Sequence, residues 1–146
     1  MATIVVGVDG SDSAREALRF AVQEARLRGA GLRVVTAWHM PAMAYGAVGF
    51  SPAVDPTVFE DSAGAALEAA LAGLGEQADG VEIEPAVRTG QPAHVLTEEA
   101  RGADLLVVGS RGHGGFAGLL LGSVSHQCAL YASCPVVIVH EPSRSA

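Results

Sequence analysis

Gly109-Ser110-Arg111-Gly112 is followed, after nine intervening residues, by Gly122-Ser123-Val124-Ser125. The first group begins where the apolar run Leu105-Leu106-Val107-Val108 ends, and the second opens a new amphipathic segment. A strand that stops at glycine and feeds a helix gathers bare backbone N–H groups in one place. Glycine lacks the Cβ that would hold an anion at a distance, and a helix start offers unpaired donors with a partial positive charge. The chemistry this suits is phosphate binding, and the ligand it implies is a nucleotide. A plain strand-to-helix turn is the alternative. Yet Gly109, Gly112, Gly114 and Gly115, with Gly122 leading into Ser123, are more glycine than one turn requires.

Around this frame several side chains have two readings each. Arg111 is the only arginine or lysine of the loop; its fork suits a phosphate, but it equally suits solvent. His113 stands the same way. Ser123 reads as a helix N-cap or a phosphate contact, and both uses share one helix end. Ser125 reads as a contact to the last phosphate or a metal, or as a solvated first-turn serine. Asp9, in Asp9-Gly10-Ser11, either shapes its turn or meets the ligand, and its place at a strand end favours the ligand. His39, His94, His126 and His140 are scattered without metal-ligand spacing.

The elements that must position these residues follow from hydrophobic period. Thr3 to Val8 is short and β-branched, the pattern of a strand covered on both faces. Ser13-Ala14-Arg15-Glu16 has capping-box spacing, and Ala14, Ala17, Leu18, Ala21, Val22 and Ala25 recur at helical period until Gly29 and Gly31. Leu32 to Trp38 predicts a second strand. His39 to Pro56 shows no periodicity, and loops of this length commonly act as lids or binding segments. Asp55-Pro56 then suits a helix start, with Val58, Phe59, Ala63, Ala66, Leu67, Ala70, Leu71 and Leu74 as its apolar face. Val81 to Val87 alternates as an edge strand does. Gln91-Pro92 opens a helix, Asp104 to Val108 predicts a central strand, Ser123 to Ala132 the last helix and Pro135 to Val139 the last strand. This alternation predicts an α/β fold with a parallel sheet covered by helices on both faces. If the first and fourth strands are neighbours, Asp9 and the glycine segment open into one crevice at their carboxyl ends.

Composition narrows the class. The 146 residues fit a single domain over 1–146, and 49% hydrophobic with 17% charged residues argues against disorder. No apolar run reaches the length that crosses a bilayer, and no signal peptide is evident, so a cytoplasmic location with no membrane partner is expected. A formal charge of −7 speaks against nucleic-acid binding and requires local donors, aided by a divalent cation, to hold an anion. All nine basic residues are arginine, which excludes a catalytic lysine. With one arginine in the loop and no assured base, slow hydrolysis of a bound nucleotide at most is expected, with no catalytic residue assigned. Cys128, on a helix, and Cys134, before a strand, are expected as free buried thiols.

Gly109-x2-Gly112-x9-Gly122-Ser123 matches the glycine signature of the ATP-binding universal stress protein family. Ile4-Val5-Val6-Gly7-Val8-Asp9-Gly10-Ser11 resembles that family's first strand and turn, Gly90-Gln91-Pro92 its third helix start and Cys134-Pro135-Val136-Val137-Ile138-Val139 its final strand. The resemblance runs from Thr3 to His140. It implies an open five-stranded sheet ordered 3-2-1-4-5, like that of adenine nucleotide α-hydrolases, and ATP, with Mg2+, between the first and fourth strands. It also implies a homodimer paired through Val136, Val137, Ile138 and Val139. By position, Gly7 and Asp9 would lie near base or ribose, and Ala37 would offer its backbone to adenine. Gly109, Ser110, Arg111, Gly112, His113, Gly114 and Gly115 would wrap ribose and phosphates, and Gly122, Ser123, Val124 and Ser125 would hold the phosphates. The function implied is a nucleotide-dependent stress-response or signalling module, its occupancy biasing the segment from His39 to Pro56. Two further readings are an adenylylating ATP pyrophosphatase, faintly suggested by Asp9-Gly10-Ser11-Asp12-Ser13, and a structural dimer that binds no nucleotide.

Overall fold

The computed structural model describes residues 2–39, 55–111 and 121–141. Five strands, β1 (Thr3–Gly7), β2 (Gly31–Trp38), β3 (Ile83–Thr89), β4 (Leu105–Gly109) and β5 (Val136–Val139), form one sheet in the order β3-β2-β1-β4-β5. Every pairing is parallel, with Gly7 opposite Val35, Val6 opposite Val107 and Gly109 opposite Val139. The order 3-2-1-4-5 and the adjacency of β1 and β4 are therefore as expected. β1 and β4 are apolar on both faces because both faces are covered, and Ile4, Val5, Val6, Leu106 and Val107 are wholly buried.

The helices α1 (Asp12–Arg28), α2 (Pro56–Ala72), α3 (Pro92–Glu99) and α4 (Ser123–Tyr131) divide between the faces. Ala17, Leu18, Ala21 and Val22 of α1 and Leu67 of α2 pack with Ile4, Val6, Val34 and Val107 in one core. Val95 and Leu96 of α3 and Cys128 of α4 pack with Val5, Val35, Leu106 and Val108 in the other. The helix starts at Asp55-Pro56 and Gln91-Pro92 stand where expected. Asp55 caps α2 by accepting the Thr57 N–H, which holds its carboxyl below the usual carboxylate range.

One helix start differs. The N-cap of α1 is Ser11, whose hydroxyl accepts the Ala14 N–H, and Ser13 lies within the first turn. Capping-box spacing misplaced it by two residues because Ser13 is engaged elsewhere, with the ends of β4 and β5. The capping role expected of Ser123 likewise moves to Gly122, the N-cap of α4. β3 starts two residues later than its alternation suggested, and it pairs with β2 as far as Trp38 opposite Thr89. A short 3-10 turn at Gly75–Ala78 was not signalled by periodicity. The expected lid between His39 and Pro56 lies mostly outside the described residues.

The short helix α3 is tied to the sheet by charge. Glu99, at its carboxyl end, accepts from Arg88 of β3 at 2.6 Å and from Arg33 of β2 at 3.3 Å. A carboxylate at a helix carboxyl end is disfavoured by the helix dipole, and two guanidinium groups offset that. Pro92 and Leu96, on the same helix, are thereby held over the ends of β1 and β2.

Candidate functional site

A cleft of about 550 Å³ opens at the carboxyl ends of β1, β2 and β4, where the winding direction of the sheet reverses. Gly7, Asp9, Ala37, Gly109, Arg111, Val124 and Ser125, all singled out in the sequence, line it. Val8, Ala14, Val35, Pro92, Leu96 and Val108 line it as well and were not foreseen as site residues. Val35 and Ala37 are two apart on one strand and so share a face, a signal that was available. Pro92 and Leu96 reach the cleft through the crossover of α3, which local pattern does not report. Gly112, His113, Gly114 and Gly115 lie outside the described residues.

Each wall has a local reason. Gly7 ends β1 against α3, and a Cβ there would fall 2.6 Å from Leu96 Cδ1, so glycine leaves Leu96 its room at the cleft wall. Val35 accepts the Val8 N–H at 2.9 Å, and the β1–β2 ladder stops at Gly7 opposite Val35. Backbone groups two residues apart on a strand point to the same side. Ala37 thus directs its N–H and C=O over the end of β1, into the cleft. Trp38 points the other way, its carbonyl accepting the Gly90 N–H at 2.8 Å.

The glycine segment works differently from its first reading. Ser110 is buried and does not line the cleft; its N–H donates to the Val139 carbonyl at 2.8 Å, and its own carbonyl accepts from the Gly122 N–H at 2.6 Å. The Ser125 hydroxyl also reaches that carbonyl, at 3.1 Å, and the Gly122 carbonyl at 3.0 Å. Ser125 is buried, not solvated, which removes one of its two readings. The Arg111 N–H donates to Ser13 Oγ at 3.2 Å, and Ser11 Oγ donates to the Arg111 carbonyl at 3.4 Å. The amides of Ser110, Arg111 and Gly122 are therefore occupied by the protein itself.

What this strapping achieves is placement. Ser110 nails the start of α4 to the ends of β4 and β5. At that start Gly122 has no side chain to cap the first turn, so the amides of Ser123, Val124 and Ser125 meet no side-chain cap. Val124 and Ser125 stand at the cleft wall; Ser123, exposed, and Gly122, buried, lie off its lining. The donors free for an anion belong to the helix start rather than to the strand end.

Asp9 is exposed, and its Oδ1 accepts the Ser11 N–H at 2.9 Å, so the turn-shaping reading is observed. Asp9 also lines the cleft. Among the described residues no three His, Cys, Asp or Glu side chains cluster as metal ligands. Both cysteines are free; burial pushes the Cys128 thiol up to about 11, and burial with the Asp104 charge raises Cys134. Among the described residues no helix is long and apolar enough to cross a membrane.

Comparison with known proteins agrees with this architecture. The universal stress protein family model matches residues 1–140. A universal stress protein of Mycolicibacterium smegmatis is 40% identical over 138 residues, 93% of this chain and 45% of that protein. Universal stress protein Rv2623 of Mycobacterium tuberculosis is 37% identical over 140 residues, 96% of this chain and 46% of that protein. The chain spans about half the length of these curated relatives. A solved universal stress protein in complex with cAMP is 33% identical with a TM-score of 0.72, covering 97% of this chain and 98% of that one. The universal stress protein from Archaeoglobus fulgidus in complex with dAMP is 27% identical with a TM-score of 0.66, covering 95% of this chain and 98% of its own. By family match, sequence identity and fold, this chain belongs to the universal stress protein family.

Proposed function

We propose that the cleft binds an adenine nucleotide, ATP with Mg2+ foremost, and that the chain acts as a homodimeric stress-response or signalling module hydrolysing ATP slowly at most. One observation carries this reading: the uncapped start of α4 stands at one wall of a cleft whose floor is apolar. An apolar slot between Leu96, Val35 and Val108 suits a base, and Ala37 offers main-chain groups to its edge. The phosphates would then run toward Arg111 and the α4 amides. Relatives solved with cAMP and dAMP support the adenine preference.

Mg2+ commonly binds through one or two carboxylates together with the substrate's phosphates. Asp9 is the single carboxylate lining the cleft among the described residues, which suits an ion carried in on the nucleotide. No lysine and no assured base stand by to speed phosphoryl transfer. β5 is an edge strand with all four residues half-buried, and a second copy paired along it would satisfy its outer backbone groups. The reading treats residues 1–146 as one functional unit acting in the cytoplasm.

Mass spectrometry of gently purified protein, followed by calorimetry with ATP, ADP, AMP, cAMP and GTP with and without magnesium, tests it. Adenine nucleotides are expected to bind well above GTP, with magnesium tightening the triphosphate. Equal affinity for adenine and guanine, or none for either, overturns the reading. Sedimentation of the protein tests the dimer, which a monomer at micromolar concentration would refute.

A further inference from the structure

A second hollow, of about 690 Å³, adjoins the cleft and shares Asp9 and Ala37 with it. It lies on the other face of the sheet. Val35 and Ala37 belong to the core under α3 and α4, so by strand alternation Thr36 and Trp38 face α1 and α2. Across from Trp38 and His39 stand Phe59, Ser62, Ala63 and Ala66, at helical spacing on the first half of α2. Leu67, the next residue along the helix, is buried against the sheet. Among the described residues, the short side chains of Ser62, Ala63 and Ala66 leave space opposite Trp38.

The chemistry of this hollow is not that of the cleft. Among the described residues no arginine lines it, and α2 presents its side rather than its first amides, so it does not suit a second phosphate. Trp38 and Phe59 offer flat aromatic faces, on which any nucleobase stacks. Phosphate chemistry is confined to the side of Arg111 and α4. A ligand using both spaces lays one ring in the cleft, runs its phosphates toward Arg111 and α4, and doubles back over the rim at Asp9 and Ala37 to bring a second ring to Trp38 and Phe59.

We propose that this protein prefers a dinucleoside polyphosphate, two bases joined through phosphates, to a mononucleotide. The inference rests on the cleft being a nucleotide site and names the ligand class of that site. Diadenosine tetraphosphate is the probe, and adenosine tetraphosphate is the control with as many phosphates and one base.

Calorimetry on the full chain should show the dinucleotide binding about tenfold tighter than the control. It should also quench the fluorescence of Trp38, the chain's single tryptophan, more strongly than the control does. Ala63→Leu, which fills the hollow, and Trp38→Ala, which removes one face, should each reduce the dinucleotide to the control's affinity while leaving the control's own affinity unchanged. Equal affinities in the unaltered protein overturn the inference and leave the nucleotide cleft standing. So does a dinucleotide advantage that survives both substitutions. Failure of every adenine nucleotide to bind overturns the cleft assignment and this inference with it.

Discussion

Ser13 Oγ occupies the space that a side chain on Gly109 would need: a Cβ there would lie 2.4 Å from that oxygen. Glycine at the end of β4 is thus demanded by the start of α1 packing against it, not by a ligand. Ser13 is wholly buried, accepts from the Arg111 N–H and donates to the Val139 carbonyl at 3.4 Å. One hydroxyl therefore joins α1, the glycine segment and the edge strand β5.

Gly109→Ala follows directly. The new methyl would also meet Ser13 C at 2.7 Å and Ala14 N at 2.9 Å, backbone atoms that cannot swing aside. Overpacking of this kind costs about 1–3 kcal/mol. Urea unfolding should show that loss, and nucleotide affinity should fall because α1 and Arg111 move together. A variant as stable as the parent would mean that the α1 start yields freely.

Gly7→Ala is expected to act on binding more than on stability. The added Cβ would crowd Leu96 Cδ1, a flexible end whose open direction is the cleft itself. Leu96 swung into the cleft would take the base's place, and affinity should fall about tenfold, equivalent to 1.4 kcal/mol. Adding Leu96→Ala should recover part of that affinity, a coupling that a double-mutant cycle by calorimetry reads out. Strictly additive losses would show that Gly7 and Leu96 do not share the space.

How much of this was legible in the sequence depends on how far apart the partners are. β1 and β4 could be read because strands covered on both faces are unbroken apolar runs. Asp55-Pro56 and Gln91-Pro92 could be read because capping is a local affair. The sheet order and the cleft residues Gly7 and Ala37 came through resemblance, since no local pattern carries strand order, whereas Asp9 could be read from its place at a strand end. Ser13 was misread as a cap because its partners, Arg111 and Val139, are 98 and 126 residues away. Ser110 and Gly122 showed only that backbone mattered there. That their amides serve the protein's own carbonyls, leaving the α4 start as the donor, needed the fold.

Asp9 separates turn from ligand by a pair of substitutions. Asp9→Asn keeps an oxygen for the Ser11 N–H and removes the charge, whereas Asp9→Ala removes both. If the carboxylate serves a magnesium-bearing nucleotide, both variants should bind ATP more weakly in magnesium, Asp9→Asn unfolding at nearly the parent's temperature and Asp9→Ala somewhat lower for want of the Ser11 bond. Calorimetry with thermal unfolding measures the two effects separately. Parent-like affinity in Asp9→Asn would leave Asp9 with the turn alone.

Cys128 makes stability depend on alkaline pH. It is wholly buried on α4 beneath the cleft wall, and burial favours the neutral thiol, raising its pKa from 9.0 to about 11. Above 9.0 the unfolded chain begins to release this proton while the folded chain keeps it, so the unfolded state binds fewer protons and stability falls as pH rises. The contribution is complete below 9.0 and lost as pH climbs through about 11. Urea unfolding of the parent and of Cys128→Ala at about pH 8 and about pH 10 isolates it, because Cys134 titrates in both proteins. The variant starts less stable, having lost a buried sulfur, but should lose less on going to the higher pH. Equal losses in the two proteins would show that the Cys128 thiol does not hold its proton in the folded state any longer than in the unfolded one.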